Sequence, residues 1–152
     1  MVPSVISHPE QHYIKSSTPH VPNSPLPVLV YRSALPPNPT PESTCSTIEP
    51  NNWLKGGVFK HYGAHHFHSV THECYAVFNG HSRLLLGRGP LDPESEDDLL
   101  VDLKEGDAIV LPAGVAHCSM NLFPTLVLSL VLSVAVVMYV KYWLTDHVRF
   151  GK

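Results

Sequence analysis

The chain has little positive charge. Lys and Arg number 10 of 152 residues against 13 Asp and Glu, for a net charge of -3 with His neutral. A phosphate backbone needs clustered bases to displace its counterions, so nucleic acid is excluded as a partner. Cysteine is scarce as well: Cys45, Cys74 and Cys118 make neither an even set nor a Cys-x-x-Cys pair. That pattern points to a reducing, cytoplasmic compartment. The opening "MVPSVISHPEQHYIK" lacks the basic start and apolar core of a secretory leader. From Trp53 to Met120 no stretch sustains a 3.6-residue period, which argues against a helical domain there. A chain of this length holds one core and not two.

What the chain has in excess is histidine, 11 in all, with four of them in "HHFHSVTHE" at 65–73. In extended chain, residues two apart share a side, so His66 and His68 can point inward together while Phe67 points away. Glu73 follows after the short turn "SVTH", near enough to bring a carboxylate to the same place. Farther on, "GDAIVLPAGVAHCSMN" (106–121) offers a strand, a Pro112-Ala113-Gly114 turn and then His117. His65 and His72 should face away from His66 and His68, in a supporting or solvent role. His61 and His81 read as surface residues. Cys74 and Cys118 read as small buried thiols rather than ligands. Tyr75 and Arg83 are candidates to line the pocket.

Around these residues the chain divides into four parts. Residues 1–26 are polar and punctuated by proline; eight of the 15 prolines fall between Pro19 and Pro41, a composition that favours extended chain over helix. Within 27–35, "PVLVYRSAL" predicts a strand, and its proline borders suit an edge or covering position that would favour a homodimer. Residues 27–121 make up the domain, and from Trp53 to Met120 they carry short strand-like runs, with Asn79-Gly80 as a two-residue hairpin signal and Glu105-Gly106-Asp107 as a second turn. Regular short strands imply an all-β barrel or sandwich. The acidic "LDPESEDD" (91–98) reads as a solvated loop, because it lacks the spacing of a calcium loop.

The motif spacing resembles the cupins. Their first motif is His-x-His, three or four residues, Glu, six residues, Gly; this chain has His66, His68, Glu73 and Gly80 at those positions. Their second is Gly, five residues, Pro-x-Gly, two residues, His, three residues, Asn; here it is Gly106, Pro112, Gly114, His117 and Asn121. The glycine usual six residues before the first histidine is replaced by Lys60. More narrowly, "PNSPLPVLVYRSAL" and "NNWLKGGVFKHYGAHHFHSVTHE" resemble the leading segments of small single-domain cupins of poorly characterised function from bacteria and fungi. The likeness covers residues 22–121. It implies a cupin-type jelly-roll β-barrel in which His66, His68, Glu73 and His117 hold one divalent transition metal. Fe, Mn, Ni, Zn and Cu all suit such a donor set. It also implies action on a small oxygenated molecule, as in cupin dioxygenases and isomerases, or non-catalytic binding of a metal or small molecule.

Residues 122–140, "LFPTLVLSLVLSVAVVMYV", carry no charge over 19 positions, the length of a membrane-spanning helix. Three readings stay open: a single-pass tail anchor, apolar barrel strands, or a segment foreign to the gene product. In the first and third the barrel lacks its closing strands. The basic residues Lys141, Arg149 and Lys152 lie in the short tail 141–152, on the wrong side of such an anchor for a cytoplasmic cupin portion.

Overall fold

The computed structural model describes residues 8–14, 16–60, 62–95, 98–120 and, as backbone, 134–140. His61, Asn121, 122–133 and the tail 141–152 lie outside the described residues.

Among the described residues nine strands and one short α-helix, extended by a 3-10 turn at Glu49–Asn51, follow in the order β1 (Glu10–His12), β2 (Val28–Tyr31), α1 (Pro41–Ile48), β3 (Trp53–Phe59), β4 (Glu73–Asn79), β5 (His81–Leu86), β6 (Leu99–Lys104), β7 (Ala108–Leu111), β8 (His117–Met120) and β9 (Val134–Val140). They form a six-stranded sheet, β1-β2-β7-β4-β9-β3, and a three-stranded sheet, β6-β5-β8, with antiparallel pairing throughout. The two sheets enclose one core. Val28 and Val30, Tyr75 and Val77, and Ile109 and Leu111 meet Leu84 and Leu86, and Val101 and Leu103. Each pair is two residues apart, the signature of one strand face turned inward. The result is an all-β jelly roll of two antiparallel sheets, the fold class that the resemblance implies.

The turns do different work from that expected of them. Asn79-Gly80 does not close a hairpin, because β4 and β5 belong to different sheets. Gly80, at φ 78°, turns the chain from the larger sheet to the smaller, and its carbonyl accepts from Glu105 N–H. Glu105-Gly106-Asp107 carries β6 back to the larger sheet, and Pro112-Ala113-Gly114 returns β7 to the smaller. A turn dipeptide specifies a change of direction; whether the strands then pair is decided by which faces must be buried.

Three other expectations are corrected. Residues 27–35 do contain a strand, but β2 lies between β1 and β7, and the edge is β1, inside the supposedly irregular 1–26. The prolines flank β2 without interrupting its ladder, so an edge was not required. Residues 41–48 form a helix: Thr40 caps it by accepting from Ser43 N–H, the Ser43 hydroxyl answers to Thr40 N–H, and Pro41 sits at its first turn, where a missing N–H costs nothing. Ile48 and Leu35 cover the outer side of the larger sheet over Leu29, Cys74, Ala76 and Val110. Last, of the three readings of 122–140 the described part takes the second, against the tail anchor: 134–140 is a strand, and β9 fills the slot between β3 and β4. "VAVVMYV" is rich in β-branched residues, and a short apolar run cannot by itself distinguish strand from buried helix. Among the described residues no helix is long and apolar enough to cross a membrane.

One ion-pair cluster ties β1, β2 and the β6–β7 turn together. Asp107 is 0 % exposed and accepts from Arg32 at 2.9 Å, Ser33 N–H at 3.0 Å and Lys104 N–H at 3.2 Å. Arg32 also donates to Asp102 O and to both carboxylate oxygens of Glu10. Its hydrogen bonds hold the Glu10 carboxyl below the ordinary range. That stabilisation is present above the ordinary carboxylate pKa and is lost as pH falls through the lower folded-state value. Arg32→Ala strands part of a buried carboxylate and should cost about 1–2 kcal/mol, several degrees of Tm near neutral pH, with the deficit shrinking as the solution is acidified. Arg83→Ala, which removes an exposed pair to Asp102, should leave Tm unchanged in the same melting series.

Candidate metal centre

The four expected residues come together. His66 and His68 lie on the segment between β3 and β4, Glu73 is the first residue of β4, and His117 is the first of β8. His66 and His117 form an isolated antiparallel bridge, which sets their rings 4.2 Å apart between centroids. The His68 ring is 5.5 Å from that of His66, while Phe67 turns outward. One donor atom from each of the four side chains falls within 4.8 Å of all the others. A single ion with bonds of about 2.0–2.2 Å needs donors within about 4.4 Å, so small rotations of the rings suffice.

Hydrogen bonds select which nitrogens face inward. His66 Nδ1 lies 3.0 Å from Ala64 O, and His117 Nδ1 lies 3.1 Å from Val115 O. A carbonyl only accepts, so both Nδ1 atoms carry a proton and, in the neutral ring, both Nε2 atoms present a lone pair. The same device, a bond to the carbonyl two residues back, is used twice. Burial pushes His66 below its ordinary pKa, with the neighbouring His117 and His68 acting the same way against the Ala64 bond, which raises it. A neutral ring is the ligating form.

Glu73 sets the electrostatics. It is 2 % exposed, and its Oε2 lies 2.9 Å from His117 Nε2 and 3.4 Å from His68 Nε2. Neither Glu73 Oε2 nor His117 Nε2 makes a hydrogen bond of good geometry. Among the described residues no Lys or Arg pairs with this carboxylate. A carboxylate out of water demands a countercharge, and a dication among these donors would supply one. Glu73 and His117 are buried whereas His66 and His68 are half-buried, so the cluster opens to solvent on one side.

The surrounding residues sort as follows. Tyr75 is buried with its ring edge-on to His117 at 5.7 Å, as a lining residue should be. Arg83 is not in the pocket: it pairs with Asp102 on the outer side of the smaller sheet. Tyr62 packs edge-on against His66 at 4.9 Å and is 47 % exposed; no spacing rule singles it out, because its contact depends on where the loop folds. His65 Nδ1 donates to Arg88 O, and His72 Nδ1 accepts from Ala113 N–H. Burial pushes the His72 ring below its ordinary pKa. Cys74 is pushed up to about 12 by burial and by Glu73, and Cys118 is also raised by burial, so both stay thiols.

A strap from the N-terminal segment closes this end of the barrel. The Asn23 side-chain amide donates to Ser16 O and Gly87 O, and the Thr18 hydroxyl donates to Asp92 at 2.7 Å. Asp92 is buried, and Asp98 pairs with Arg88 at 3.1 Å. The acidic stretch is therefore partly anchored, not wholly solvated. Between the strap and the His66 segment lies a cleft of about 270 Å³ whose lining includes His20, Val21, His65, Phe67 and Pro90.

No family model matches the chain. "Uncharacterized protein YjlB" of Bacillus subtilis (strain 168) is 30 % identical over 115 residues, 75 % of this chain and 64 % of that protein, so the match spans less than two thirds of that relative's length. Among solved structures, RmlC from Streptococcus suis in complex with dTDP-D-xylose aligns over 90 % of this chain and 72 % of its own at 9 % identity and a TM-score of 0.43. The dTDP-4-dehydrorhamnose 3,5-epimerase from Elizabethkingia anophelis NUHP1 gives 87 %, 72 %, 11 % and 0.39. Hazelnut (Corylus avellana) vicilin gives 88 %, 31 %, 12 % and 0.40.

The turn that presents His117 supplies a sharp test of this geometry. Gly114 has φ 92°, and a Cβ there would lie 2.6 Å from the backbone oxygen of Asn23 in the strap; Gly106 has φ 93° but its nearest neighbour would be 3.8 Å away. Gly106→Ala should cost only backbone strain, about 1–2 kcal/mol. Gly114→Ala carries the same strain plus the clash, and denaturant melts should show a clearly larger loss. Equal losses would mean that the strap is not packed against this turn.

Proposed function

We propose that the chain is a metal-dependent cupin in which His66, His68, Glu73 and His117 hold one divalent transition ion. The observation that carries this reading is Glu73, a buried carboxylate whose ion-pair partners among the described residues are imidazoles alone. Two backbone-anchored rings with lone pairs turned inward complete the donor set. Three nitrogens and one oxygen suit Fe(II), Mn(II), Ni(II), Zn(II) or Cu(II). Such an ion, with positions left open, supplies Lewis acidity or oxygen activation to a small oxygenated molecule.

The chain's own residues contribute orientation and shelter. Glu73 and His117 anchor the site from the barrel floor, while the half-buried His66 and His68 stand on the open side where a ligand enters. Tyr75 excludes water beneath His117. The cleft beside His66 brings two further imidazoles, His20 and His65, close to that opening, which supports binding of a hydroxylated or carboxylated small molecule. A metal-dependent binding module without turnover would use the same residues, and conversion of the bound molecule, with or without oxygen uptake, separates the two.

Elemental analysis of purified protein should find about one transition ion per chain. His68→Ala and His117→Ala should each lower metal content sharply, and His81→Ala, at an exposed position, should not. His68 is half-buried, so its variant tests ligation even if loss of the buried His117 ring impairs folding. Equal metal content in all three variants would sink the assignment. An oxygen-electrode screen of small oxygenated compounds on the loaded protein then distinguishes an oxygenase from a binding module.

A further inference from the structure

The segments bearing the four ligands are distant in sequence and are joined by a latch of four hydrogen bonds. His66 N–H donates to His117 O at 3.1 Å, His117 N–H to His66 O at 2.8 Å, and Gly114 N–H to His68 O at 2.8 Å. These three join backbone groups, which almost any residue provides. The fourth is different: Ala113 N–H donates to the Nδ1 of His72 at 3.0 Å. It alone depends on the identity of a side chain. Because Ala113 N–H is the donor, His72 Nδ1 is unprotonated and the neutral ring carries its proton on Nε2. That is the tautomer opposite to the one His66 and His117 adopt.

We propose that His72 is a positioning residue of the metal centre: by accepting from Ala113 it fixes the 112–114 turn against the 66–73 segment, and so sets where His117 stands relative to Glu73. The inference rests on the metal-centre reading of the same cluster. His72 directly precedes Glu73, and the turn it grips ends three residues before His117. Pro112 has no N–H, so at the start of this turn only Ala113 and Gly114 can donate across, and both do. A ligand set works only when held to about 0.5 Å, and His72 receives one of the two bonds that the turn's own N–H groups make to the 66–73 segment.

The test uses the full chain, with Co(II) as probe. His72→Leu keeps the bulk and removes the acceptor, whereas His72→Asn puts Oδ1 where Nδ1 was. Co(II) affinity should fall about 10- to 100-fold in His72→Leu, with a changed visible spectrum, and should recover to within about threefold in His72→Asn. In the metal-free protein, nitrogen NMR should find His72 protonated on Nε2. Native affinity and spectrum in His72→Leu, no recovery in His72→Asn, or a proton on His72 Nδ1 would each overturn the inference. Failure of the native protein to take up Co(II) would instead overturn the metal-centre reading. Amide exchange at Ala113 then decides the latch: about tenfold slower in the native chain and His72→Asn than in His72→Leu if it holds, equal in all three if it does not.

Discussion

A carboxylate held out of water with imidazoles for company is the constraint on which the rest of this site depends. Desolvating Glu73 costs several kcal/mol unless positive charge faces it. Among the described residues no Lys or Arg supplies that charge, and the side chains facing it are imidazoles. Every other feature of the site, from the paired His66–His117 bridge to the latch at Ala113, serves to bring donors to the point where such a charge would sit. The jelly roll contributes by bringing the first residues of β4 and β8, Glu73 and His117, together at one end, although the two strands belong to different sheets.

The same end is finished by chain from far away. The strap containing Thr18 and Asn23 spans the 87–92 loop and the 113–116 turn, and Gly114 has no side chain because the strap's backbone occupies that space. Thus a segment whose composition reads as a proline-punctuated tail is part of the wall around the cluster. Arg32 and Asp107 play a comparable part on the other side of β2, where a buried carboxylate is matched by a guanidinium instead of imidazoles. The two carboxylates show two answers to one problem, the first a fixed charge within the chain and the second a cluster shaped to receive one.

How much was legible in the sequence follows from which interactions are local. The four candidate ligands and the all-β class could be read, because motif spacing and two-residue periodicity are properties of neighbouring positions. The helix at 41–48 announced itself through Thr40-Pro41 and Ser43, a cap signature that the density of prolines concealed. The role of Asn79-Gly80 could not be read, since pairing across a turn is settled by distant strands. Likewise "VAVVMYV" looked foreign when judged against a half-polar strand; its place between β3 and β4 is a property of the whole sheet. Tyr62 and the Arg83–Asp102 pair are products of loop path and outward facing, which no spacing encodes.

The position of β9 has a consequence for how the chain is made. β3 and β4 are consecutive strands, yet they never pair with each other, because the slot between them belongs to a strand that begins 55 residues after β4 ends. At about 5–20 residues per second of synthesis, the ribosome delivers that strand roughly 3–10 s later. During that interval two ladders of unpaired N–H and C=O groups face each other with nothing to join them. The order of synthesis thus leaves the facing edges of β3 and β4 to be joined last, by the strand that arrives last.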